Sequence, residues 1–164
     1  MKASEILLQF DENKSISQTA LDLLADEEHP LRQELVHEFR NHKNRDFALA
    51  LLEAFASIRR RPYPENYDIG CTSLMFASYL LGMHGEISDC ITVWQTKTID
   101  FDTFCGFDIQ LVPIAGIKPT IEFLKKSDHE DAEDALKYIL ECEQAGDFGF
   151  QYDFSATEEL PWFI

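Results

Sequence analysis

The stretch 68–85, DIGCTSLMFASYLLGMHG, decides the fold of this 164-residue chain. It is apolar on most sides through Leu81, and it has small side chains at Ala77 and Ser78. A helix that is apolar nearly all round is buried in the core of a water-soluble protein. We therefore predict a helix that is central to the fold and that Gly82 or Gly85 terminates.

Helical periodicity continues in both directions from this segment. On the N-terminal side, each predicted helix has a residue that caps or opens helices: Ser4, Ser15 or Ser17, Pro30, and Asn44 before a helix over 45–60. On the C-terminal side, the spacing predicts helices over 88–98, 107–115 and 120–126. Ser127 and Glu130 have the spacing of a capping box, which predicts a last long helix that Gly146 terminates.

These patterns predict an all-α fold, with residues 1–164 forming a single domain of antiparallel helices. The arrangement is a bundle or a short α-solenoid, because apolar runs recur between short connections. We expect 147–164, DFGFQYDFSATEELPWFI, to be an irregular aromatic and acidic tail packed on the body. Its last residues, Trp162, Phe163 and Ile164, would be costly to leave in water.

The composition and the cysteines indicate a cytoplasmic protein. No apolar stretch approaches the roughly 20 residues needed to cross a bilayer, and acidic residues flank the first short apolar run, unlike a signal peptide. Cys71, Cys90, Cys105 and Cys142 show no metal-binding spacing, so we expect free and mostly buried thiols in a reducing compartment.

The charge of the chain is strongly one-sided. It has 30 acidic and 14 basic residues, for a net charge of −16, and residues 98–164 hold 15 of the acidic but only 4 of the basic residues. Such a surface attracts and captures a cationic partner, although a merely well-solvated acidic surface would have the same composition. The balance argues against nucleic-acid binding, which requires cations to neutralise phosphates.

The sequence Asp100-Phe-Asp102-Thr103 resembles the nucleophile motif of the haloacid-dehalogenase family. The Thr comes one position early, however, and no buried strand precedes it. We expect these carboxylates instead to cap a helix that starts near Phe107.

No other pattern indicates catalysis, a metal or a cofactor. The histidines are scattered, and the acidic segment 127–136 lacks the central Gly of an EF-hand loop. Arginines 59–61 lie at a predicted helix end, where the helix dipole favours cations. A salt bridge from them to the acidic residues of 98–164 is an additional expectation.

The remaining candidate site is an acidic binding surface in the C-terminal part of the chain. Its candidate partner-binding residues are Asp100, Asp102, Asp108, Asp128, Glu130, Asp131, Glu133, Asp134 and Glu141.

Four segments between residues 47 and 148 resemble small acidic helical immunity proteins of bacterial polymorphic-toxin systems. They are ALLEAF (50–55), ENYDIGCTSLMFASYLLGMHG (65–85), DFDTFCGFDIQL (100–111) and EDALKYILECEQAGDF (133–148). The resemblance implies a cytoplasmic, non-enzymatic protein that binds a cognate toxin with a basic surface, tightly and stoichiometrically. It supplies no catalytic residue, and it leaves the role of residues 1–45 open.

Two other functions remain open at the level of sequence. One is a helical-repeat adaptor or scaffold that binds a basic peptide or protein. The other is an enzyme that acts on a cationic or metal-bound substrate through Asp100, Asp102 and Asp108.

Overall fold

A computed structural model describes residues 1–149, 154 and 159–164 of the chain, and over these residues the fold is all-helical, as predicted. Two 3-10 helices cover Glu65–Asp68 and Ile109–Leu111. The α-helices of the described residues are α1 (Ala3–Asn13), α2 (Gln18–Ala25), α3 (Leu31–Asn41), α4 (Arg45–Arg59), α5 (Cys71–Gly82), α6 (Asp89–Lys97), α7 (Phe101–Gly106), α8 (Ile117–Leu124) and α9 (Ala132–Ala145).

The helix α5 lies at the centre of the core, which confirms the prediction from its sequence. Every residue from Ser73 to Leu81 is buried. The helix packs most extensively on α4 and also contacts α3, α6, α7 and Ile109–Leu111. A repeat in a solenoid contacts only its neighbours, so these contacts describe a bundle around α5.

Several predicted helix ends are confirmed by their hydrogen bonds. The Ser17 hydroxyl accepts a hydrogen bond from the Ala20 amide at 3.3 Å, and the Asn44 side chain accepts one from the Phe47 amide at 3.0 Å. Gly82 ends α5, and Gly146 ends α9 with a φ of 86°, a left-handed conformation that favours glycine.

The predicted helix over 107–115 is wrong. A short helix, α7, comes earlier, and only the 3-10 turn Ile109–Leu111 follows it. The Asp100 carboxylate caps α7 by accepting the Thr103 amide at 2.9 Å, while the Thr103 hydroxyl accepts the Asp100 amide at 3.0 Å. A carboxylate therefore caps a helix here, but the helix starts at Phe101 and not near Phe107.

The capping box predicted for the last helix is also wrong. The Ser127 hydroxyl accepts a hydrogen bond from the His129 amide at 3.2 Å and so closes a local turn. The helix α9 begins only at Ala132, and no side chain caps it at Asp131.

The predicted tail is only partly described, because residues 150–153 and 155–158 lie outside the described residues. Phe163 is buried and packs on Tyr79, with ring centroids 6.2 Å apart, as expected. Trp162 is 67% exposed, contrary to the expectation, and its indole N–H donates to the Asp108 carboxylate at 3.0 Å. A polar partner is thus what holds this ring at the surface.

All four cysteines are free. Cys90 and Cys142 are buried and Cys71 is partly buried, but Cys105 is exposed, which corrects the expectation for that residue. Within the described part of the chain, no helix has both the length and the apolar character needed to cross a membrane.

Candidate functional site

A buried arginine at the end of α4 organises the candidate site. The Arg59 side chain is only 5% exposed. Its Nε donates to Asp100 Oδ2 at 2.7 Å, and its Nη2 donates to Asp100 Oδ1 at 3.2 Å. This two-point pairing of a planar guanidinium with a carboxylate fixes both distance and orientation. The start of α7 is therefore fixed to the end of α4.

The same guanidinium also holds the loop that follows α4. Arg59 Nη1 donates to the carbonyls of Ile69 at 3.3 Å and Asn66 at 3.4 Å. Its Nη2 lies 3.4 Å from an oxygen of Asp102, and its central carbon lies 5.1 Å from the centre of the Tyr67 ring. One buried side chain thus positions two carboxylates and an aromatic ring at the surface.

The ion pair keeps both partners charged. Burial opposes the charge of Asp100, but hydrogen bonds from Arg59 and Thr103 outweigh it and hold the pKa of this carboxyl below its usual value. The hydrogen bond to Asp100 raises the pKa of Arg59 despite its burial.

Three large aromatic side chains are exposed around this ion pair. Tyr63 is 80% exposed, Tyr67 59% and Phe101 79%. The Tyr63 and Tyr67 rings meet edge to face at 5.9 Å, and the Tyr67 hydroxyl donates to Asp102 at 3.3 Å. We call the surface formed by Tyr63, Tyr67, Phe101, Asp100 and Asp102 the Arg59 patch.

The Arg59 patch combines exposed aromatic rings with carboxylates that Arg59 holds in place. Aromatic residues are enriched at the centre of protein interfaces. The rings also have few rotatable bonds, so binding orders them at low entropic cost.

The other seven candidate carboxylates, all in the described part of the chain, form no ion pair with Arg59. Asp108 accepts the indole N–H of Trp162, and Asp131 accepts the Gln95 side-chain amide at 2.8 Å and is half-buried. The remaining five are exposed along the turn before α9 or on α9 itself: Asp128, Glu130, Glu133, Asp134 and Glu141. Of the nine candidates, only Asp100 and Asp102 are held by Arg59.

Sequence reasoning missed the aromatic part of the Arg59 patch. The segment 61–66, RPYPEN, has the prolines of a helix break, and Tyr63 lies within it while Tyr67 follows it directly. The signal that could have found them is the short spacing of large aromatics in a turn, where no core-facing position exists. Phe101, between two aspartates, carries the same signal.

Lys97 is a second buried cation that the sequence did not predict. Its side chain is 2% exposed, and Nζ donates to the carbonyls of Phe104 and Phe107, each at 2.6 Å. Burial lowers the pKa of Lys97. Because these carbonyls lie at the end of α7, the lysine holds the C-terminal end of this helix while Arg59 holds Asp100 at its start.

No protein-family model, no curated protein and no solved structure matches this chain. Among the residues that the structure describes, no group of three or more His, Cys, Asp or Glu side chains is arranged to hold a metal ion.

Proposed function

We propose that this protein is a toxin-neutralising immunity protein, which binds a cationic toxin domain tightly and stoichiometrically through the Arg59 patch. The observation that carries the proposal is the exposure of Tyr63, Tyr67 and Phe101 around the carboxylates that Arg59 fixes. The mechanism is occlusion: the protein covers the basic surface on which the toxin depends, and no chemistry is required of its own residues.

The affinity comes from the rings and the carboxylates together. A few central aromatic residues dominate the binding energy of many interfaces, and surrounding contacts exclude water from them. Arg59 holds Asp100 and Asp102 in place before binding, so a cationic side chain of the toxin meets an already ordered acceptor. Preorganisation of this kind lowers the entropic cost of association.

The net charge of −16 supports the proposal through the rate of association. Long-range attraction between an acidic protein and a basic toxin speeds encounter, while the short-range contacts of the patch determine how long the complex lasts. The exposed carboxylates of α9, such as Glu133, Asp134 and Glu141, contribute to the long-range attraction that speeds encounter.

An adaptor that binds a basic peptide would use the same surface, and the bound partner distinguishes the two functions. An immunity protein protects cells from the toxin encoded in the adjacent reading frame, whereas an adaptor has no such effect. Within the described residues, α5 contacts α3, α4, α6 and α7, whereas a repeat in a helical-repeat adaptor contacts only its neighbours.

The test is co-expression of the protein with the toxin encoded next to it, followed by growth measurement and co-purification. We expect the wild-type protein to restore growth and to co-purify with the toxin. Truncation of Phe101 or Tyr67 to Ala removes a central aromatic contact and should cost about 2 kcal/mol of binding, or roughly 30-fold in affinity.

The matched control is Leu8→Ala, which removes a side chain that is 63% exposed on α1, outside the Arg59 patch. We expect this variant to protect as well as the wild type. Protection that is lost equally in all three variants, or absent in the wild type, would contradict the proposal.

A further inference from the structure

Exposed aromatic rings are concentrated around the short helix α7. Of the five exposed aromatic rings among the described residues, three belong to the Arg59 patch. The other two are Phe104, which lines a groove beside α7, and Trp162, which donates its indole N–H to Asp108 in the wall of the same groove. Because aromatic residues are enriched at the centre of protein interfaces, this concentration indicates that the groove belongs to an interaction surface.

The groove has a volume of about 480 Å³ and runs between the end of α7 and α9. The rings of Phe104 and Tyr138, whose centroids are 5.2 Å apart, form an apolar part of its lining, and Asp108 and Asp147 form an acidic part. The Gln110 side-chain amide donates to the backbone carbonyl of Asp147 at 2.8 Å, which connects the turn after α7 to the end of α9. The groove is therefore formed by contacts within the chain, and we call it the α7–α9 groove.

Lys97 determines which chemical group fits the α7–α9 groove. Its ammonium nitrogen lies 5.1 Å from the centre of the Phe104 ring and 5.7 Å from that of Tyr138. The side chain is buried and donates to two backbone carbonyls, so it is held within the chain, but its positive charge opposes a second cation beside it. An apolar side chain of a partner therefore fits against the two rings, whereas a cationic group suits the exposed Asp147.

The helix α7 joins the groove to the Arg59 patch. Phe101 and Asp102 contribute to the patch, and Phe104 and Cys105, three positions further along, line the groove. Side chains three positions apart in a helix lie on the same face, and a helix of this length spans only about 9 Å. One partner surface can therefore contact both regions.

We propose that the toxin bound at the Arg59 patch extends over α7 into the α7–α9 groove, where it places a large apolar side chain next to a basic residue. This inference rests on the proposed function and adds a second contact region to it. Charge complementarity supports this choice of partner: Asp102 in the patch and Asp147 in the groove are both exposed, so basic residues that flank the apolar side chain meet a carboxylate. An anchor side chain that fills a pocket, surrounded by contacts that exclude water, dominates the binding energy of many interfaces.

Cys105 allows a direct test, because it lines the groove and is the exposed one of the four cysteines. Burial raises the pKa of Cys71, Cys90 and Cys142 to about 11, so at neutral pH these thiols react slowly with N-ethylmaleimide, which adds to the thiolate. The measurement is the rate of alkylation of Cys105 in the full-length protein, with and without a saturating amount of the toxin domain encoded in the adjacent reading frame.

We expect the toxin to slow the alkylation of Cys105 about tenfold or more, because the complex covers the groove and excludes solvent from it. Protein that is alkylated at Cys105 beforehand should bind the toxin about tenfold or more weakly, since the added group occupies the groove.

The matched control is an exposed cysteine elsewhere on the surface, made by Leu8→Cys together with Cys105→Ser. Its alkylation should be equally fast with and without the toxin, and circular dichroism checks that the variant is folded. An unchanged rate at Cys105 in the complex, or equal slowing at both positions, would overturn this inference.

The same experiment separates this inference from the proposed function. If the toxin binds and Tyr67→Ala weakens the complex while Cys105 stays fully reactive, the groove is not part of the contact and only this inference fails. If no toxin binds, the proposed function fails and this inference fails with it.

Discussion

Arg32 and Arg59 are both almost fully buried, and each connects elements that are distant in the chain. Arg32 donates to the carbonyl of Leu24 at 2.8 Å, to the Ser73 hydroxyl at 2.7 Å and to the Phe163 carbonyl at 3.3 Å. Burial lowers the pKa of Arg32, and the charges of Glu27 and Asp26 act in the opposite direction without outweighing it. Arg59 differs because it forms ion pairs with two carboxylates, Asp100 and Asp102.

Neither arginine could be assigned a buried role from the sequence. A single Arg in an amphipathic helix usually lies on the solvated face, and its burial depends on carbonyls that only the folded chain brings together. The suggestion of a salt bridge from arginines 59–61 to the acidic half is confirmed by Arg59 with Asp100 and Asp102.

Removal of the Arg59 charge should destabilise the fold. Arg59→Met leaves Asp100 without its partner and frees the Ile69 carbonyl, so we expect a loss of about 3 kcal/mol in the free energy of unfolding. Arg60→Met is the matched control, because Arg60 is half-exposed and lies 3.5 Å from the exposed Glu53; its loss should be below about 1 kcal/mol. Urea unfolding of both variants checks this, and equal losses would contradict it.

The Asp100 carboxyl should make stability depend on acid pH. Its pKa is held below the usual value, so its contribution is fully present above about pH 5 and is lost as the pH falls through the folded-state pKa. In Asp100→Asn this part of the dependence should disappear. The measurement is the free energy of unfolding between pH 6 and pH 2 for both proteins, and parallel curves would show that Asp100 does not contribute.

At the scale of single elements, the sequence predicted most helices and their caps because periodicity and caps are local signals. Ser17, Asn44 and Gly146 act within a turn of their own position. The segment 107–115 was wrongly predicted to be a helix because its apolar residues have helical spacing. Pro113 opposes a helix there, because it lacks the backbone N–H donor and obstructs the preceding turn. The helix α7 was missed since Phe101, in its first turn, is exposed and so disturbs the apolar pattern.

The end of α5 depends on close packing against the turn before α8. A Cβ atom added at Gly82 would collide with Ile114 Cγ2 and lie 2.7 Å from its Cδ1. Gly82→Ala should therefore destabilise the protein by about 1–3 kcal/mol, although alanine favours helices in general.

A double-mutant cycle with Ile114→Ala checks this explanation. Without the Ile114 side-chain branches, Gly82→Ala should be nearly neutral or slightly stabilising. The collision is then removed, and only the higher helix propensity of alanine over glycine remains. An equal cost of Gly82→Ala in both backgrounds would place its cause elsewhere.

At the scale of the whole molecule, the sequence predicted the acidic character but not its arrangement. The charge count for residues 98–164 predicts a negative surface. It does not predict that Asp100 and Asp102 pair with Arg59, or that Asp131 accepts a hydrogen bond from Gln95.

Charge reversal on α9 should affect the rate of association with a basic partner. Glu133 and Asp134 are both exposed, so Glu133→Lys with Asp134→Lys should slow association and flatten its dependence on salt without disturbing the fold. Asp131 is less suitable because it accepts a hydrogen bond from Gln95.

The control reverses two exposed acids of the N-terminal part, Glu28→Lys with Glu34→Lys, for the same change in net charge. Stopped-flow association at several salt concentrations compares the two proteins. Equal slowing would assign the effect to net charge alone and not to the position of α9.

Calorimetric titration of the purified toxin domain with three forms of this protein tests whether the Arg59 patch binds the toxin, as proposed. We expect one molecule bound per toxin, an affinity about 30-fold or more weaker for the double variant Tyr67→Ala with Phe101→Ala, and an unchanged affinity for Leu8→Ala. Equal affinities for the wild type and the double variant, with both proteins folded, would contradict it.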